Sequence, residues 1–304
     1  MVNQQFRDNA KLHLLVVIWG FTAILGRLIS IPPVEIVFYR TLIASLSLVL
    51  ILIYTKVYFY IKISDLLKVL GVGALIGAHW VLFFAAARVS TISICLVGMA
   101  TTSLWTSVLE PVLNKRAIQL HEVLLGMLVI VGLYIIFQFE TGHALGLLMA
   151  IASAFLAALF SVFNGMLTKR YNHHLLTFYE MTGAWLSVIL FFPLYTFYFT
   201  EGSLHLSPNT MDWVYLFVLA VICSVYAYSQ WVELMKRMSA YAINLVVNLE
   251  PIYGIVLALI IFGESERMNT GFYMGTLIIV MAVISYPILN RRLKSRNKKV
   301  KHLI

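Results

Sequence analysis

The sequence predicts an all-α integral membrane protein with ten transmembrane helices in an inverted 5+5 repeat. Three observations favour this fold class: an extreme apolar composition, an alternation of positive charge between the connections, and a weak similarity between the two halves. The apolar composition indicates that the chain lies in a lipid bilayer. The alternation of charge indicates the number and orientation of the helices, and the similarity of the halves indicates how the helices are arranged.

The composition is that of a membrane protein. Of the 304 residues, 61% are hydrophobic and 12% are charged, against about 25% charged in ordinary soluble domains. A soluble fold buries at most about three quarters of its surface at this length, which is too little to hide so many apolar side chains. The composition therefore excludes a soluble enzyme, a disordered chain and a nucleic-acid-binding domain, despite a net charge of +9. Cys95 and Cys223 both lie within apolar runs, which predicts neither a disulfide nor a metal site.

Apolar runs long enough to cross a bilayer recur along the chain. A run of about 18 or more such residues crosses a ~30 Å hydrocarbon core as a helix. The first run follows Arg7 and Lys11 but precedes no small-residue cleavage site, so we expect an uncleaved helix rather than a signal peptide. The predicted spans are Leu12–Ile29, Val34–Tyr54, Leu66–Ala87, Thr91–Leu113, Val123–Phe139, Ala144–Leu167, Leu175–Phe199, Trp213–Met235, Ala240–Phe262 and Gly271–Leu289.

Lysine and arginine residues alternate between the two sides of these spans. With the amino terminus placed in the cytoplasm, the cytoplasmic segments hold 18 of the 22 Lys and Arg residues, seven of them after residue 290. The opposite side holds Arg27, Arg88 and Arg267, and Arg40 lies inside the second span. Because positive charge accumulates in cytoplasmic connections, this distribution predicts ten spans, both termini in the cytoplasm and a multi-pass protein of the cytoplasmic (inner) membrane.

The two halves of the chain are weakly similar. Residues 36–50 match residues 176–190 at six of fifteen positions, and GMLVIVGLYI from Gly126 matches GTLIIVMAVI from Gly275. The two matches occur in the same order, so we expect two repeats, at 1–140 and 141–290, followed by a basic cytoplasmic tail at 291–304. Five spans per repeat is an odd number, which inserts the second repeat upside down, as in many secondary transporters.

Several short motifs also occur along the spans. They are Trp19-Gly20 with Arg27, Pro32 with Arg40, Leu249-Glu250-Pro251, Phe262-Gly263-Glu264, and Gly275. Together they resemble the EamA-type transporters of the drug/metabolite transporter superfamily over about residues 12–290. The resemblance implies two five-helix repeats that move small metabolites without a bound cofactor or ATP site. Relatives of this kind export amino acids or move organic cations, nucleotide sugars or lipid-linked sugars.

Glu250 is the first candidate for a substrate-binding residue. It lies 13 residues after Arg237 and 14 before Glu264, so about 20 Å of helix extends on either side of it. Ionisable residues at that depth are usually functional, and Pro251 frees a backbone carbonyl one turn earlier. Such a carboxyl can exchange a proton for a cationic group, which makes the proton a candidate coupling ion. The alternative is a structural carboxyl bonded to a neighbouring helix.

Arg40 and Glu180 occupy matching positions in the two repeats. Counted along the helix, Arg40 lies about 12 Å from the outer face and Glu180 about 10 Å from the inner face. A cation near one mouth and an anion near the other would suit a substrate with separated charges. The alternatives are that Arg40 snorkels outward and that Glu180 pairs with the nearby Lys169, Arg170 and His173.

Further polar and aromatic residues lie inside the spans. Asn244 and Asn248 share one helical face, and Glu250 is about 200° round from Asn248, which counts against a single pocket for all three. Polar side chains between helices are often packing bonds of about 0.6 kcal/mol. The remaining predicted substrate-binding residues are His79, Trp80, Gln230, Asn244, Asn248 and Tyr253, and Trp105, Trp185 and Tyr226 are further candidates for an aromatic wall.

These features predict a secondary transporter, not an enzyme, which exports amino-acid-like or other amphipathic compounds by alternating access. An uptake permease for organic cations or nucleotide-like metabolites is one alternative. A membrane-embedded lipid-modifying enzyme is another, although it would need a reactive cluster at one interface. The expected partners are a small-molecule substrate and bilayer lipid, without nucleic acid, cofactor or metal, and the expected state is a monomer or homodimer.

Overall fold

The computed structural model describes residues 2–139 and 141–301, and within them every regular segment is helical. Within these described ranges, eight helices are long and apolar enough to cross a membrane, and shorter apolar stretches occur at Leu120–Ile136 and Thr270–Ala282. These findings confirm an all-α, multi-pass membrane protein. The number of ten crossings stays a prediction, and the side chains of the predicted tail at 291–304 lie outside the described part.

The helices follow the predicted spans, with shifts at their ends. The first begins at Val2, ahead of the predicted Leu12, because the polar residues before the apolar run continue the helix. The helices are α1 (Val2–Gly20 and Thr22–Leu28), α2 (Pro33–Tyr54), α3 (Ile63–Val89), α4 (Ile92–Met99 and Thr102–Leu113), α5 (Leu120–Phe139), α6 (Ala144–Leu167), α7 (His173–Phe199), α8 (Thr210–Phe217, Val218–Tyr228 and Ser229–Leu234), α9 (Ala240–Val247 and Glu250–Phe262) and α10 (Thr270–Lys301).

Several helix ends use side-chain caps that are visible in the sequence. The Asn172 side chain accepts a hydrogen bond from the His174 backbone N–H at 2.8 Å at the start of α7. Asn209 and Asp212 form a reciprocal capping box at the start of α8. At its carboxyl end, α9 is terminated by Gly263, whose φ of +57° is a conformation that glycine adopts without steric cost.

Helices α4 and α9 are broken at corresponding points. Thr91 and Ser239 cap their first segments through side-chain oxygens, and each first segment is eight residues long. A two-residue turn then separates it from the second segment, so that Thr102 and Glu250 each open a second segment. Broken helices near the midplane are typical of secondary transporters, because they expose backbone groups to a cavity.

Hydrogen bonds between α4 and α9 show that the two helices are antiparallel. Glu266, just after α9, accepts bonds from the backbone N–H groups of Ile92 and Ser93 at 3.0 Å each, at the start of α4. Conversely, Glu110 near the end of α4 accepts from the Tyr241 N–H at 2.9 Å, at the start of α9. The two counterparts therefore cross in opposite directions, as an inverted repeat requires. Helices α2 and α7 also pack together, as do α5 and α10.

Glycines allow α3 and α7 to approach closely. A methyl group on Gly73 would lie 2.3 Å from the Glu180 carbonyl oxygen, and one on Gly183 would lie 2.5 Å from the Leu70 carbonyl oxygen. Both obstacles are backbone atoms, which cannot rotate away. Gly71 lies on the same helix, yet a methyl group there would meet nothing within 4 Å.

We expect Gly73→Ala to destabilise the protein by about 1–3 kcal/mol, because the added methyl group forces the two backbones apart. Gly71→Ala is the matched control, since Ala has the higher helix propensity and the site is open. The measurement is the apparent Tm of each purified variant in the same detergent. Equal Tm values for the two variants would contradict the close approach of α3 and α7.

Candidate functional site

A central cavity of about 80 Å³ lies between helices of the two halves of the chain. Its walls come from α1, α2, α3 and α4 of the first half and from α6, α8 and α9 of the second. Substrate sites in inverted-repeat transporters lie at such a boundary. The cavity is lined by Trp19, Thr22, Arg40, His79, Trp80, Phe83, Met99, Thr102, Ala157, Phe160, Ser161, Tyr228, Trp231, Asn244, Val247 and Glu250.

Arg40 supplies the positive charge of this cavity. Its Nε donates to the Ser224 Oγ at 2.8 Å, and its guanidinium carbon lies 3.7 Å from the centroid of the Trp80 ring. The side chain is 2% exposed, so it does not snorkel to the outer face. Stacking on an aromatic face stabilises a guanidinium while leaving part of its donor fork available. Arg40 therefore lies at the centre of the protein rather than at a mouth.

The partner of Arg40 lies in an irregular stretch of α8. Residues Val218–Tyr228 form a π-helix, in which hydrogen bonds span five residues and the helix is wider than an α-helix. The Ser224 Oγ donates to the Leu219 carbonyl oxygen at 3.0 Å, and the Trp19 Nε1 donates to the Cys223 carbonyl oxygen at 3.1 Å. Segments of this kind are frequent at functional sites, and this one carries the residue that positions Arg40.

Glu250 supplies the carboxyl group of the cavity. It opens the second segment of α9 directly after the break, and its carboxyl lines the cavity with 8% of the residue exposed. Arg40 is close enough for its charge to act on Glu250, but the two form no ion pair within 4.0 Å, and Glu250 has no other such pair within residues 2–139 and 141–301. The cavity thus holds a guanidinium and a carboxyl group that form no direct ion pair.

His79 and Asn244 line the cavity and are also anchored to neighbouring helices. The His79 Nδ1 lies 3.0 Å from the Ser153 carbonyl oxygen; since a carbonyl can only accept, Nδ1 carries the proton. The Asn244 Nδ2 donates to the Thr106 Oγ1 at 2.9 Å, and the Asn244 Oδ1 accepts from the Ser161 Oγ at 3.4 Å. These bonds fix both side chains in place at the cavity wall.

The helix break changes the expected geometry of α9. The angle predicted between Asn248 and Glu250 assumed a continuous helix, but the turn at 248–249 interrupts it. As a result, Asn244 and Glu250 line the same cavity. Asn248 instead donates to the Ala100 carbonyl oxygen at 2.8 Å and to the Ser103 Oγ at 2.6 Å. It therefore ties the break in α9 to the break in α4.

The other predicted site residues lie outside the cavity lining. Glu180 is fully buried behind Tyr228. Gln230 is half-buried on α8, and Tyr253 packs where α1 crosses α9, with its Cβ 3.3 Å from the position of a methyl group on Gly20. Of the predicted aromatic wall, Trp80 lines the cavity and Trp105, Trp185, Tyr226 and Tyr253 do not.

Aromatic residues that the sequence did not identify as site residues form much of the wall. The Trp231 ring lies 5.3 Å from Tyr228 and 5.9 Å from Trp19 and Phe160, measured between centroids. The Trp231 Nε1 is buried and lacks an acceptor among the residues described, so it is a spare donor beside the cavity that Trp231 lines. Tyr228 and Trp231 are three residues apart, a one-face spacing that the sequence shows but that also occurs in ordinary packing.

A second cavity, of about 450 Å³, lies further along α4, α6 and α9. It is lined by basic residues, Lys169, Lys236 and Arg237, and by Glu110. The hydrogen bond that Arg237 donates to the Asp8 carboxylate raises the pKa of Arg237 and holds it charged. Asn244 of α9 bonds to Thr106 of α4 and to Ser161 of α6, and these three helices contribute residues to both cavities.

Comparison with known proteins agrees with this architecture. A transporter of unassigned substrate from Archaeoglobus fulgidus is 24% identical over 287 residues, covering 90% of this chain and 96% of that protein. A solved crystal structure superposes with a TM-score of 0.68 at 16% identity, over 93% of this chain and 97% of the other, which supports the fold.

The family comparison covers nearly the whole chain. The model of the EamA-like transporter family matches residues 11–138 and again residues 144–286. Two successive matches account for both halves of the protein, and the family points to a membrane transporter rather than an enzyme. The chain therefore belongs to the EamA-like transporter family.

Proposed function

We propose that this transporter exports small amino-acid-like metabolites by alternating access, with the central cavity as the substrate site. One observation carries the proposal: Arg40 and Glu250, contributed by different repeats, face the same cavity without forming an ion pair. A zwitterion supplies a carboxylate for Arg40 and an ammonium group for Glu250. Each buried charge of the protein then gains the partner that it lacks in the empty cavity.

The walls favour a substrate with an apolar body. Trp19, Trp80, Phe160, Tyr228 and Trp231 present aromatic surface between the two charges. The spare Nε1–H of Trp231 is a second donor for a carboxylate, and aromatic faces also stabilise an ammonium group. An uptake permease for organic cations is the second candidate, because the same aromatic faces and Glu250 would suit a cation. That candidate leaves Arg40 as an unexplained repulsive charge.

A counterflow screen tests the proposal. Purified protein is reconstituted into liposomes preloaded with one unlabelled compound, and uptake of the labelled compound is followed with both sides at the same pH. We expect exchange of one or more amino acids and none of nucleobases or organic cations. Exchange confined to organic cations would favour the second candidate, and exchange of nothing in the panel would contradict both.

From the charge distribution, we propose that the protein lies in the inner membrane with both termini in the cytoplasm. Reporters that are active on one side only are fused after each connection, because the excess of positive charge should keep the basic connections inside. One reversed pair of adjacent fusions would contradict the orientation. Cytoplasmic activity is expected after Lys62, Arg116, Arg170, Arg237 and Lys294, and activity on the opposite side after Ile31, Gly142, Ser207 and Arg267.

A further inference from the structure

A buried polar cluster lies beside the central cavity but is not part of its lining. Glu180 of α7 and Asn164 of α6 are both 0% exposed. The Asn164 amide and the Tyr228 hydroxyl are polar neighbours of the Glu180 carboxyl, and the Asn164 Nδ2 donates to the Tyr228 Oη at 2.7 Å. Neither Glu180 carboxylate oxygen has a hydrogen-bond partner within the described part of the chain, and the same holds for the Asn164 Oδ1.

No cation of the described residues compensates Glu180. Its carboxyl forms no ion pair within 4.0 Å there, and α6 carries no titratable side chain from Ala144 to Leu167. Tyr228 is the titratable group that neighbours Glu180 from α8. Among the other titratable groups on helices α2, α3 and α8, Arg40 bonds to Ser224, Asp65 to Lys68 and Arg170, His79 to Ser153, and Glu233 to Lys11. The Glu35 carboxylate accepts from the His205 N–H, Arg88 donates to the carbonyl oxygens of Gly26 and Ile29, and Asp212 accepts from Ser30.

A carboxylate without a cation is very unfavourable in such an interior, whereas a neutral carboxylic acid is tolerated. The neutral form also supplies the missing donor, because its O–H can bond to the free Asn164 Oδ1. Glu250 differs in this respect, since Arg40 faces it across the cavity. The two buried carboxyls therefore differ in their neighbours: the charge of Arg40 acts on Glu250, whereas Tyr228 and Asn164 neighbour Glu180.

Tyr228 connects the buried cluster to the cavity. Its ring lines the cavity wall, while its hydroxyl is bonded to Asn164 and neighbours Glu180. A hydroxyl both donates and accepts, so it can relay a proton between a carboxyl and water. When the cavity opens to one side of the membrane, water in it gains a route to Glu180 through this hydroxyl.

We propose that Glu180, Asn164 and Tyr228 form a proton-binding site, distinct from the substrate site at Arg40 and Glu250, that couples transport to the proton gradient. One proton binds to the Glu180 carboxylate while the cavity faces one side, and it leaves through the Tyr228 hydroxyl after the cavity turns to the other. The proposal rests on the proposed transport function. The four side-chain oxygens of these residues suit a proton better than Ca²⁺ or Mg²⁺, which take six or more ligands.

Infrared difference spectroscopy of the purified full-length protein, without substrate, tests the proton site directly. Wild type is expected to show a carboxylic-acid C=O band that disappears at alkaline pH and shifts in D₂O. Glu180→Gln removes this band, whereas the exposed control Glu264→Gln leaves it unchanged. Persistence of the band in Glu180→Gln would overturn the proposal, whatever the transport assays show.

Transport assays separate coupling from substrate binding. With one proton per substrate, a pH step of about one unit drives roughly tenfold accumulation. Glu180→Gln is expected to lose this accumulation but to keep counterflow, which moves no net protons. Tyr228→Phe should slow accumulation, because it removes the hydroxyl and keeps the ring.

Three results in these assays would overturn the proton site. They are accumulation retained in Glu180→Gln, counterflow lost together with accumulation, and wild-type accumulation that follows a sodium gradient instead of pH. A failed substrate screen would count against the proposed function only, because the infrared measurement needs no substrate.

Discussion

Glu250→Gln is expected to lower the affinity for substrates that carry an ammonium group by roughly 30-fold or more, while folding and membrane insertion stay intact. Gln keeps the shape of the side chain and its hydrogen-bonding capacity, but it cannot ionise. The loss of one partner of a desolvated charge pair costs about 2 kcal/mol or more, which corresponds to that change in affinity. The measurement is substrate affinity from counterflow at a series of concentrations.

Glu264→Gln is the matched control for this prediction. Glu264 lies directly after Gly263, at the end of the helix that carries Glu250. Its side chain is exposed, and its ion pair with Arg267 at 3.0 Å is open to solvent. An exposed pair contributes little, so we expect wild-type affinity. Wild-type affinity in Glu250→Gln would show that Glu250 is not a substrate ligand. Failure of that variant to insert would assign it the structural role of holding α9 in place.

The sequence was sufficient for the course of the helices because bilayer crossing depends on apolar length, which composition records directly. The predicted span Ala144–Leu167 has the same bounds as α6 in the structure. The predicted span Ala240–Phe262 begins and ends where the two segments of α9 begin and end. The break inside α9 was not predicted. Hydropathy measures apolarity and not the continuity of backbone hydrogen bonds. Pro251 indicated a free backbone carbonyl in this helix, but it did not indicate the turn at 248–249.

The site was predictable only in part, since side-chain direction depends on those same irregularities. Arg40, His79, Trp80, Asn244 and Glu250 line one cavity, as a shared site requires.

Gln230 of α8 does not line the cavity, although its neighbour Trp231 does. The π-helical segment that precedes them changes the number of residues per turn and so rotates the following residues relative to a regular helix. The position of Glu180 behind Tyr228 also depends on the close approach of α3 and α7 at their glycines. The spacing of residues in the sequence does not predict that approach.

Arg40→Gln is expected to distinguish between the two proposed substrate classes. If Arg40 binds a carboxylate, the variant loses roughly 30-fold or more in affinity for an amino acid, by the same charge-pair argument. It should bind the corresponding amine, which lacks the carboxylate, as well as wild type does or better, because a repulsive cation has been removed. The measurement is the ratio of the two affinities in one preparation, obtained by competition in counterflow.

The ratio of the two affinities is informative because misfolding would lower the binding of both compounds alike. Such a loss would therefore leave the ratio unchanged. Arg40→Lys provides a graded comparison: it keeps the charge but loses the planar guanidinium that stacks on Trp80 at 3.7 Å and donates to Ser224. We expect it to fall between wild type and Arg40→Gln in the amino-acid affinity. An equal loss for acid and amine in Arg40→Gln would mean that Arg40 acts by holding Trp80 and α8 in place, and the substrate would then need no carboxylate.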